Sequence, residues 1–478
     1  MAKSKTPTTD SKRTMMTPGQ YRASLRDGRC LYLNGKLVQD ITDSAPFRVA
    51  LDYAAADFDY DNDPDIRQYV DKSGTKQNRL FQIPTNPEDL EKRFQLMSRL
   101  SPVSGAIGAL FSLMNSRELL ANVNADYADR IDQLYNHCKD NDLRVAQVVT
   151  DPKGDRSRGP LEQDDPDLYM HVVEKRDDGI VVRGAKLHIT AASLVHEFIV
   201  LPTRRMKPGE EDYAIAFSTP VNAPGIRIIN KMIEPPSDST FDYPVSNRRR
   251  MPECFVIFDD VFVPWDRVFL CGEVELAGKL AGSLGLWERI LGLAGMARRA
   301  KLLAGMAQLL ADYNGIARAS HVIDKVTELI FYAETLEIFM QSALREYKTT
   351  PSGMVYPNGK IINVAKYYGA SNYHQMIRHI HDLCGGIVLT MPTEADYRGE
   401  DTHGDLEKYL HTTDAVPVEH RMRLYNLVRD ITADTQGGWD LVTTLQSGGG
   451  LAAQKILTYR GFDMDSAREM VREAAGIE

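Results

Sequence analysis

The period of the hydrophobic pattern changes twice along this chain, and that double change restricts the architecture more than any single motif. From Pro18 to about Asn141 apolar residues recur at helical spacing, as in Leu90, Phe94, Met97 and Leu100, then Ile107, Leu110, Phe111 and Met114. Between Val145 and Leu270 the pattern becomes short β-rich runs separated by turn residues: VAQVV, LYMHVVEK, GIVVRGAKLHIT, EFIVLPT, YAIAFST, GIRIIN and CFVIFDDVFV. Asp177-Asp178-Gly179 between two of these runs is a hairpin signal, because Asp and Gly tolerate the positive φ of a tight turn. From about Leu276 the spacing is helical again, with segments near 278–312, 319–347, 361–384, 417–434 and 452–475. These regimes predict an α+β, mostly helical protein, with an N-terminal helical domain over 18–143, a middle antiparallel β domain over 144–275 and a C-terminal helical bundle over 276–478. Residues 1–17, rich in Lys, Thr and Ser and poor in bulky apolar side chains, predict a disordered tail.

Composition excludes several partners. The 57 Lys and Arg against 66 Asp and Glu give a formal charge of -9 without a long block of one sign, so nucleic acid is not an expected partner. The five cysteines, Cys30, Cys138, Cys254, Cys271 and Cys384, are scattered without metal-ligand spacing; no metal site is expected, and a reducing cytoplasm is the natural compartment. The polar N-terminus lacks an apolar core segment and no uninterrupted apolar run reaches spanning length, so neither export nor a membrane span is expected.

Several strings carry candidate chemistry, each with a plainer reading beside it. Asp151-Pro152-Lys153-Gly154-Asp155-Arg156 sets turn residues beside two cations, which suits a loop bending round a pyrophosphate or flavin edge, or an exposed charged turn. Thr190, at a strand end, can donate a hydrogen bond to a flavin or serve the strand alone. Gly385-Gly386 permits close approach of a dinucleotide phosphate or simply caps a helix, and Gly448-Gly449-Gly450 is either a phosphate contact at a helix N-terminus or a hinge. His188 and His196 flank Thr190 and can shuttle protons, or be satisfied structural histidines. There is no G-x-G-x-x-G after a strand, so a Rossmann site is not supported.

Asp178-Gly179-Ile-Val-Val-Arg-Gly184-Ala-Lys186-Leu-His-Ile-Thr190 resembles the G-x-x-x-x-G-x-K-x-x-I-T strand pair of the acyl-CoA dehydrogenase fold, where the terminal Thr sits beside the flavin ring. Phe258-Asp-Asp-Val-Phe-Val-Pro264 resembles the segment that closes its β domain. Thr150–Arg156, His188-Ile-Thr190, His196-Glu197, Leu389–Asp396 and Ala311–Gly315 together resemble the flavoprotein family that contains 4-hydroxyphenylacetate 3-monooxygenase and 4-hydroxybutyryl-CoA dehydratase, more closely its dehydratase branch, from about Met16 onward. The resemblance implies an acyl-CoA-dehydrogenase-like fold and non-covalent FAD, with Asp151, Lys153, Arg156, His188, Thr190, Gly385, Gly386, Gly448 and Gly449 as cofactor-binding residues, and a homotetramer.

The chain also departs from both branches. Where the dehydratase branch supplies cysteines and a histidine to an iron-sulfur cluster, this sequence has Ser104, Gly108, Glu288 and Gly295, which lack the thiolates and imidazole required. The flanking tyrosine and lysine of that branch correspond to Gly292 and Met296, and its late glutamate falls near Thr443. The monooxygenase branch grips a phenol with R-x-x-x-Y and a histidine; here Arg99 takes the arginine position, Val103 the tyrosine and Gln147 the histidine. The resulting expectation is a two-component FAD-dependent monooxygenase, taking reduced flavin from a separate reductase and hydroxylating an aromatic or other electron-rich small molecule. Arg99, Gln147, Thr190 and His196 are its expected catalytic residues. The alternatives are a cluster-free FAD-dependent acyl-CoA dehydratase or isomerase, and a non-catalytic relative.

Overall fold

The computed structural model describes residues 15–477. It divides into two compact units: one holds the residues through Pro236 with Ser246–Trp287 and Thr350–Met354, the other Ser237–Val245, Glu288–Thr349 and Val355–Glu478.

The first unit contains the strands β1 (Leu31–Leu33), β2 (Lys36–Val38), β3 (Gln68–Val70), β4 (Lys76–Asn78), β5 (Val145–Val148), β6 (His171–Lys175), β7 (Gly179–Thr190), β8 (Glu197–Val200), β9 (Ile215–Pro220), β10 (Ile226–Lys231), β11 (Glu253–Pro264) and β12 (Val268–Cys271). They build a six-stranded sheet in the order β2-β1-β10-β11-β7-β6, a four-stranded sheet β12-β9-β8-β5 and the hairpin β3-β4. Alternating burial, as in Ile226, Ile228 and Asn230 of β10 with Arg227, Ile229 and Lys231 exposed, directs one face of each strand into the core. Phe47, Phe58, Val148, Phe198, Val256 and Phe258 belong to that shared core.

The structure differs from the sequence expectation in three places. The middle domain is not purely antiparallel, since β1 pairs parallel with β10 and β5 parallel with β8. Parallel neighbours need long crossovers, and here β6 and β7 of the other sheet intervene between β5 and β8. The N-terminal region is not purely helical, because β1 and β2 form a hairpin through Asn34 and Gly35, at φ 51 and 76, and extend the large sheet. Of the expected tail, residues 1–14 lie outside the described residues, whereas Met16 is 4% exposed and donates its N–H to Asp142 at 2.9 Å. Thr17 caps the helix Pro18–Ser24 in a capping box with Gln20.

A buried polar network ties the helical part of this unit to β5. Arg144 is 1% exposed and pairs with Asp142 at 2.9 Å. It donates from Nη2 to the Tyr60 hydroxyl at 3.1 Å and from Nε to Ser104 Oγ at 2.8 Å. Tyr60 in turn donates to Asp142 at 2.6 Å, and Asn78 donates to the same carboxylate at 2.7 Å. The guanidinium stacks 3.8 Å from the Phe58 ring centroid.

The second unit is helical. The helix Val274–Tyr313 enters it, followed by Ser320–Arg345, Gly359–Cys384, Val418–Thr432, Thr435–Gln446, Leu451–Gly461 and Met464–Ala475. The expected segment 452–475 is thus two helices, and Thr435–Gln446 adds one that the sequence reading did not resolve. Close helix approach is built on Gly369, where a Cβ would stand 2.8 Å from Met296 Sδ. Among the described residues no helix is long and apolar enough to cross a membrane.

Removing one member of a buried ion pair strands its partner, at about 3–5 kcal/mol. Arg144→Met is therefore expected to lower unfolding stability by that order in urea titration, and a loss below about 1 kcal/mol would contradict the network's structural role.

Candidate active site

The candidate site in the first unit grows from an irregularity in β7. Ile189 pairs with Cys254 and Lys186 with Val256, so Leu187 and His188 face the single residue Phe255 across a β-bulge. His188 adopts φ 60 and is exposed. The bulge frees the Leu187 N–H, which donates to the Thr150 carbonyl at 2.8 Å and so docks the 150–156 loop on the strand.

One residue before the bulge, Lys186 is buried and its ammonium is saturated: Asp151 Oδ1 at 2.8 Å, the Val149 carbonyl at 2.8 Å and the Leu201 carbonyl at 3.2 Å. Asp151, 3% exposed, also accepts the Met170 N–H at 3.0 Å. Burial pushes the Asp151 carboxyl up and the Lys186 ammonium down, and each charge opposes the shift of the other. Asp151, expected to touch the cofactor, is instead the buried anchor of the loop, because its charge is consumed by Lys186.

Beyond that anchor the loop turns outward. Lys153 takes φ 72 and donates its N–H to the Leu168 carbonyl at 3.1 Å; at Gly154, φ 48, a Cβ would meet Gln163 Oε1 at 2.3 Å. Asp155 is engaged by Arg158 at 3.3 Å and by Ser157 Oγ at 2.7 Å. Lys153 and Arg156 pair with no carboxylate among the described residues, and partial burial together with Arg156 and Arg204 lowers the Lys153 ammonium. The loop therefore presents two cations that make no ion pair among the described residues, with Asp151 acting on Lys153 only at longer range.

Thr190 closes β7 opposite Glu253 of β11, and its hydroxyl donates to both carboxylate oxygens at 3.0 Å. Glu253 was not singled out from the sequence; its place opposite Thr190 follows only from a register that includes the bulge. Gln147 is the partly exposed residue of β5, between buried Ala146 and Val148, three positions before the docking carbonyl of Thr150.

Two expected catalytic residues are engaged elsewhere. Arg99 makes an ion pair with Asp63, and both side chains stay partly exposed. His196 is partly buried and bonded at both ring nitrogens: Nδ1 accepts the Arg144 N–H at 3.0 Å, Nε2 lies 2.7 Å from Ser24 Oγ, and that hydroxyl donates to the Tyr21 carbonyl at 2.7 Å. Burial, with Arg29 and Arg144 nearby, lowers its pKa to about 3. The ring is a neutral structural donor and acceptor, which corrects its expected role as proton shuttle.

In the helical unit the glycine pairs occupy separate places. Gly385 caps Gly359–Cys384, donating its N–H to the His381 carbonyl at 2.9 Å, and both Gly385 and Gly386 are exposed. Gly448 and Gly449, at φ 68 and 93, precede Leu451–Gly461. The Gly448 carbonyl accepts from Arg289 Nε at 2.8 Å, and Glu288 accepts from Ser447 Oγ at 2.7 Å. Lys366, buried on Gly359–Cys384, donates to the Thr444 carbonyl. Among the described residues no group of three or more His, Cys, Asp or Glu is arranged to hold a metal.

The chain is similar to known proteins over nearly its whole length. Residues 17–270 match the model of the 4-hydroxyphenylacetate 3-hydroxylase N-terminal region and residues 277–476 that of its C-terminal region. The 4-hydroxybutyryl-CoA dehydratase/vinylacetyl-CoA-Delta-isomerase of Clostridium aminobutyricum is 30% identical over 97% of this chain and 100% of its own length. The 4-hydroxyphenylacetate 3-monooxygenase oxygenase component of Thermus thermophilus is 31% identical over 84% of this chain and 85% of its own. Among solved structures, an oxygen-tolerant archaeal 4-hydroxybutyryl-CoA dehydratase from N. maritimus matches with TM-score 0.88 and 28% identity, over 97% of this chain and 96% of that one. A 4-hydroxyphenylacetate 3-monooxygenase oxygenase component complexed with FAD matches with TM-score 0.85 and 28% identity, over 96% and 98%.

The His196 ring is expected to give an imidazole NMR resonance that does not titrate between about pH 8 and 5, since an unperturbed histidine titrates near 6.5. The sign follows from its lowered folded pKa: below about 6.5 the unfolded chain binds a proton that the folded chain refuses, so this group costs stability progressively as pH falls toward about 3. A midpoint near 6.5 would return His196 to the catalytic candidates.

Proposed function

The chain belongs to the 4-hydroxyphenylacetate 3-hydroxylase family, and from that premise we propose that it is the FAD-dependent oxygenase of a two-component system, hydroxylating an aromatic or other electron-rich small molecule with reduced flavin from a separate reductase. The donor set fits FAD: Lys153 and Arg156 are cations without carboxylate partners, on a loop docked beside the end of β7. Reduced FAD supplies the electrons that activate dioxygen.

The observation that carries the reading is the Thr190–Glu253 contact. With its proton directed to Glu253, the Thr190 hydroxyl presents only lone pairs to a neighbouring flavin. Those lone pairs suit the N–H that the reduced ring carries at N5 and oppose the bare N5 of the oxidised ring. In this reading Lys153 and Arg156 hold the anionic part of the cofactor, and Gln147 orients a carbonyl or hydroxyl of the substrate. His188 keeps the cofactor-contact role expected of it, whereas Asp151 anchors the loop.

Cluster-dependent dehydration is disfavoured by what holds the positions that the resemblance matches to the cluster ligands, and the cluster-free dehydratase or isomerase is separated from the oxygenase by the oxygen test below. Ser104 Oγ accepts from Arg144 at 2.8 Å, and Glu288 is bonded by Ser447 at 2.7 Å. Neither contact leaves the soft thiolate set an iron-sulfur cluster requires.

A homotetramer is part of the proposal. The helix Ser320–Arg345 exposes Ile323 (50%), Ile330 (45%), Phe331 (62%) and Ile338 (65%) at seven- and eight-residue spacing, an apolar stripe suited to helix packing with another subunit. Light scattering is expected to give the mass of four chains, and a monomer would contradict it.

With a generic flavin reductase, NADH, FAD and isotopically labelled dioxygen, the chain is expected to place the label in the product of a phenol panel that begins with 4-hydroxyphenylacetate. No labelled product from the panel, together with anaerobic conversion of 4-hydroxybutyryl-CoA, would overturn the oxygenase in favour of the lyase.

A further inference from the structure

The first unit holds a buried cation that neither the candidate site nor the Arg144 network uses. Arg93, on the helix Pro87–Met97, is 3% exposed. Its Nη1 donates to the Leu80 carbonyl at 3.1 Å; among the described residues no acceptor meets Nε or Nη2, and no carboxylate pairs with the guanidinium. Three other buried arginines of the unit are matched: Arg29 by Asp27 at 2.6 Å, Arg144 by Asp142, and Arg79 by the Ile66, Asp65 and Gln68 carbonyls and the Gln82 side chain. Burial pushes the Arg93 guanidinium down to about 9, which leaves it charged at neutral pH. A buried charge without a counter-ion is costly, and contacts with aromatic rings offset only part of that cost.

The groups around the guanidinium restrict what completes it. Its Cζ lies 3.6 Å from the Phe111 ring centroid and 5.5 Å from that of Trp287, and the two rings are 5.1 Å apart. Stacking takes up a face of the guanidinium and leaves the N–H groups along its edge. Trp287 is also 3% exposed, and its Nε1 has no hydrogen-bond partner. The unmet groups of this stack are all donors, so the missing partner is an acceptor. One cation calls for one negative charge, and the edge of a guanidinium fork matches a planar carboxylate. Phe111 and Trp287 offer ring surface to an aromatic body attached to it. Leu80, whose carbonyl holds Arg93, donates its N–H to Asn78 at 2.9 Å, and Asn78 reaches Asp142. The cation is thereby fixed to the network at the root of β5, the strand that carries Gln147.

We propose that Arg93 and Trp287 recognise the carboxylate of a small aromatic acid, so that the molecule hydroxylated is an anion rather than a neutral phenol. The inference deepens the oxygenase reading and rests on it only for calling that acid the substrate. Arg93 supplies the charge and two in-plane donors, Trp287 a third donor, and Phe111 holds the guanidinium in its plane.

The test uses the full chain and two probes of one shape, 4-hydroxyphenylacetate and its neutral amide 4-hydroxyphenylacetamide, with dissociation constants taken by calorimetry in wild type, R93Q, R93K and W287F. Wild type is expected to bind the acid about tenfold or more tightly than the amide, as a hydrogen bond between charged groups requires. R93Q is expected to abolish that preference while leaving amide binding unchanged, which a merely structural role would not do. R93K keeps the charge without the fork and is expected to retain part of the preference, and W287F to lower it severalfold. Should R93Q not fold, R93K and W287F carry the test. No acid preference in wild type, or an unchanged preference in the folded variants, overturns the site. The binding measurement needs neither flavin nor dioxygen, so an acid preference that depends on Arg93 in a chain that yields no labelled product overturns the oxygenase reading alone.

Discussion

The buried ion pair of Asp151 with Lys186 is the contact on which the candidate site depends. It fixes the start of a loop to the middle of a strand, and the Leu187 N–H released by the adjacent bulge adds a second attachment at the Thr150 carbonyl. A buried pair holds only when its remaining donors and acceptors are also met, and here Val149, Leu201 and Met170 meet them. The result is a loop rigid at its root, with Lys153 and Arg156 free of carboxylates beyond it. Catalytic and binding groups are held best by such a division between a satisfied base and an unsatisfied edge.

The two changes of hydrophobic period made the helical, β, helical order legible, and β7 was readable residue for residue because its alternation and its Asp-Asp-Gly turn agree. What escaped was long-range pairing. β1 and β2 carry a readable hairpin string, Leu31-Tyr-Leu-Asn-Gly-Lys-Leu-Val38, but each is three residues long inside a helical stretch, and only their partner β10 makes them strands. Of the candidate site, Lys153, Arg156 and Thr190 could be named from local strings. Side-chain occupancy could not: nothing local says that Asp63 engages Arg99 or that Arg144 and Ser24 bond His196. Lys366 did leave a signal, a lysine inside the apolar stripe of Ile362, Ala365, Gly369 and Tyr373, where a charge is out of place.

Positions that the resemblance matches to cluster ligands of the dehydratase branch are here engaged in ordinary protein contacts. Ser104 becomes a link in the Arg144 network of one unit, and Glu288 becomes the partner of Ser447 in the other. The scaffold is kept while the donor chemistry is replaced, which is how one fold hosts different reactions. The groups that remain available are cations and strand-end hydroxyls, suited to holding a flavin and positioning a substrate beside it.

The claim that ties these observations together is that Glu253 sets Thr190 as an acceptor for reduced flavin. Its most direct measurement is the ratio of dissociation constants for oxidised and reduced FAD, the latter taken anaerobically, in the wild-type chain and in Glu253→Gln. A glutamine amide can donate to Thr190 and turn its proton outward, so the account predicts that preference for reduced FAD falls by about tenfold, one hydrogen bond's worth, with folding unchanged. An identical ratio in both proteins would contradict it.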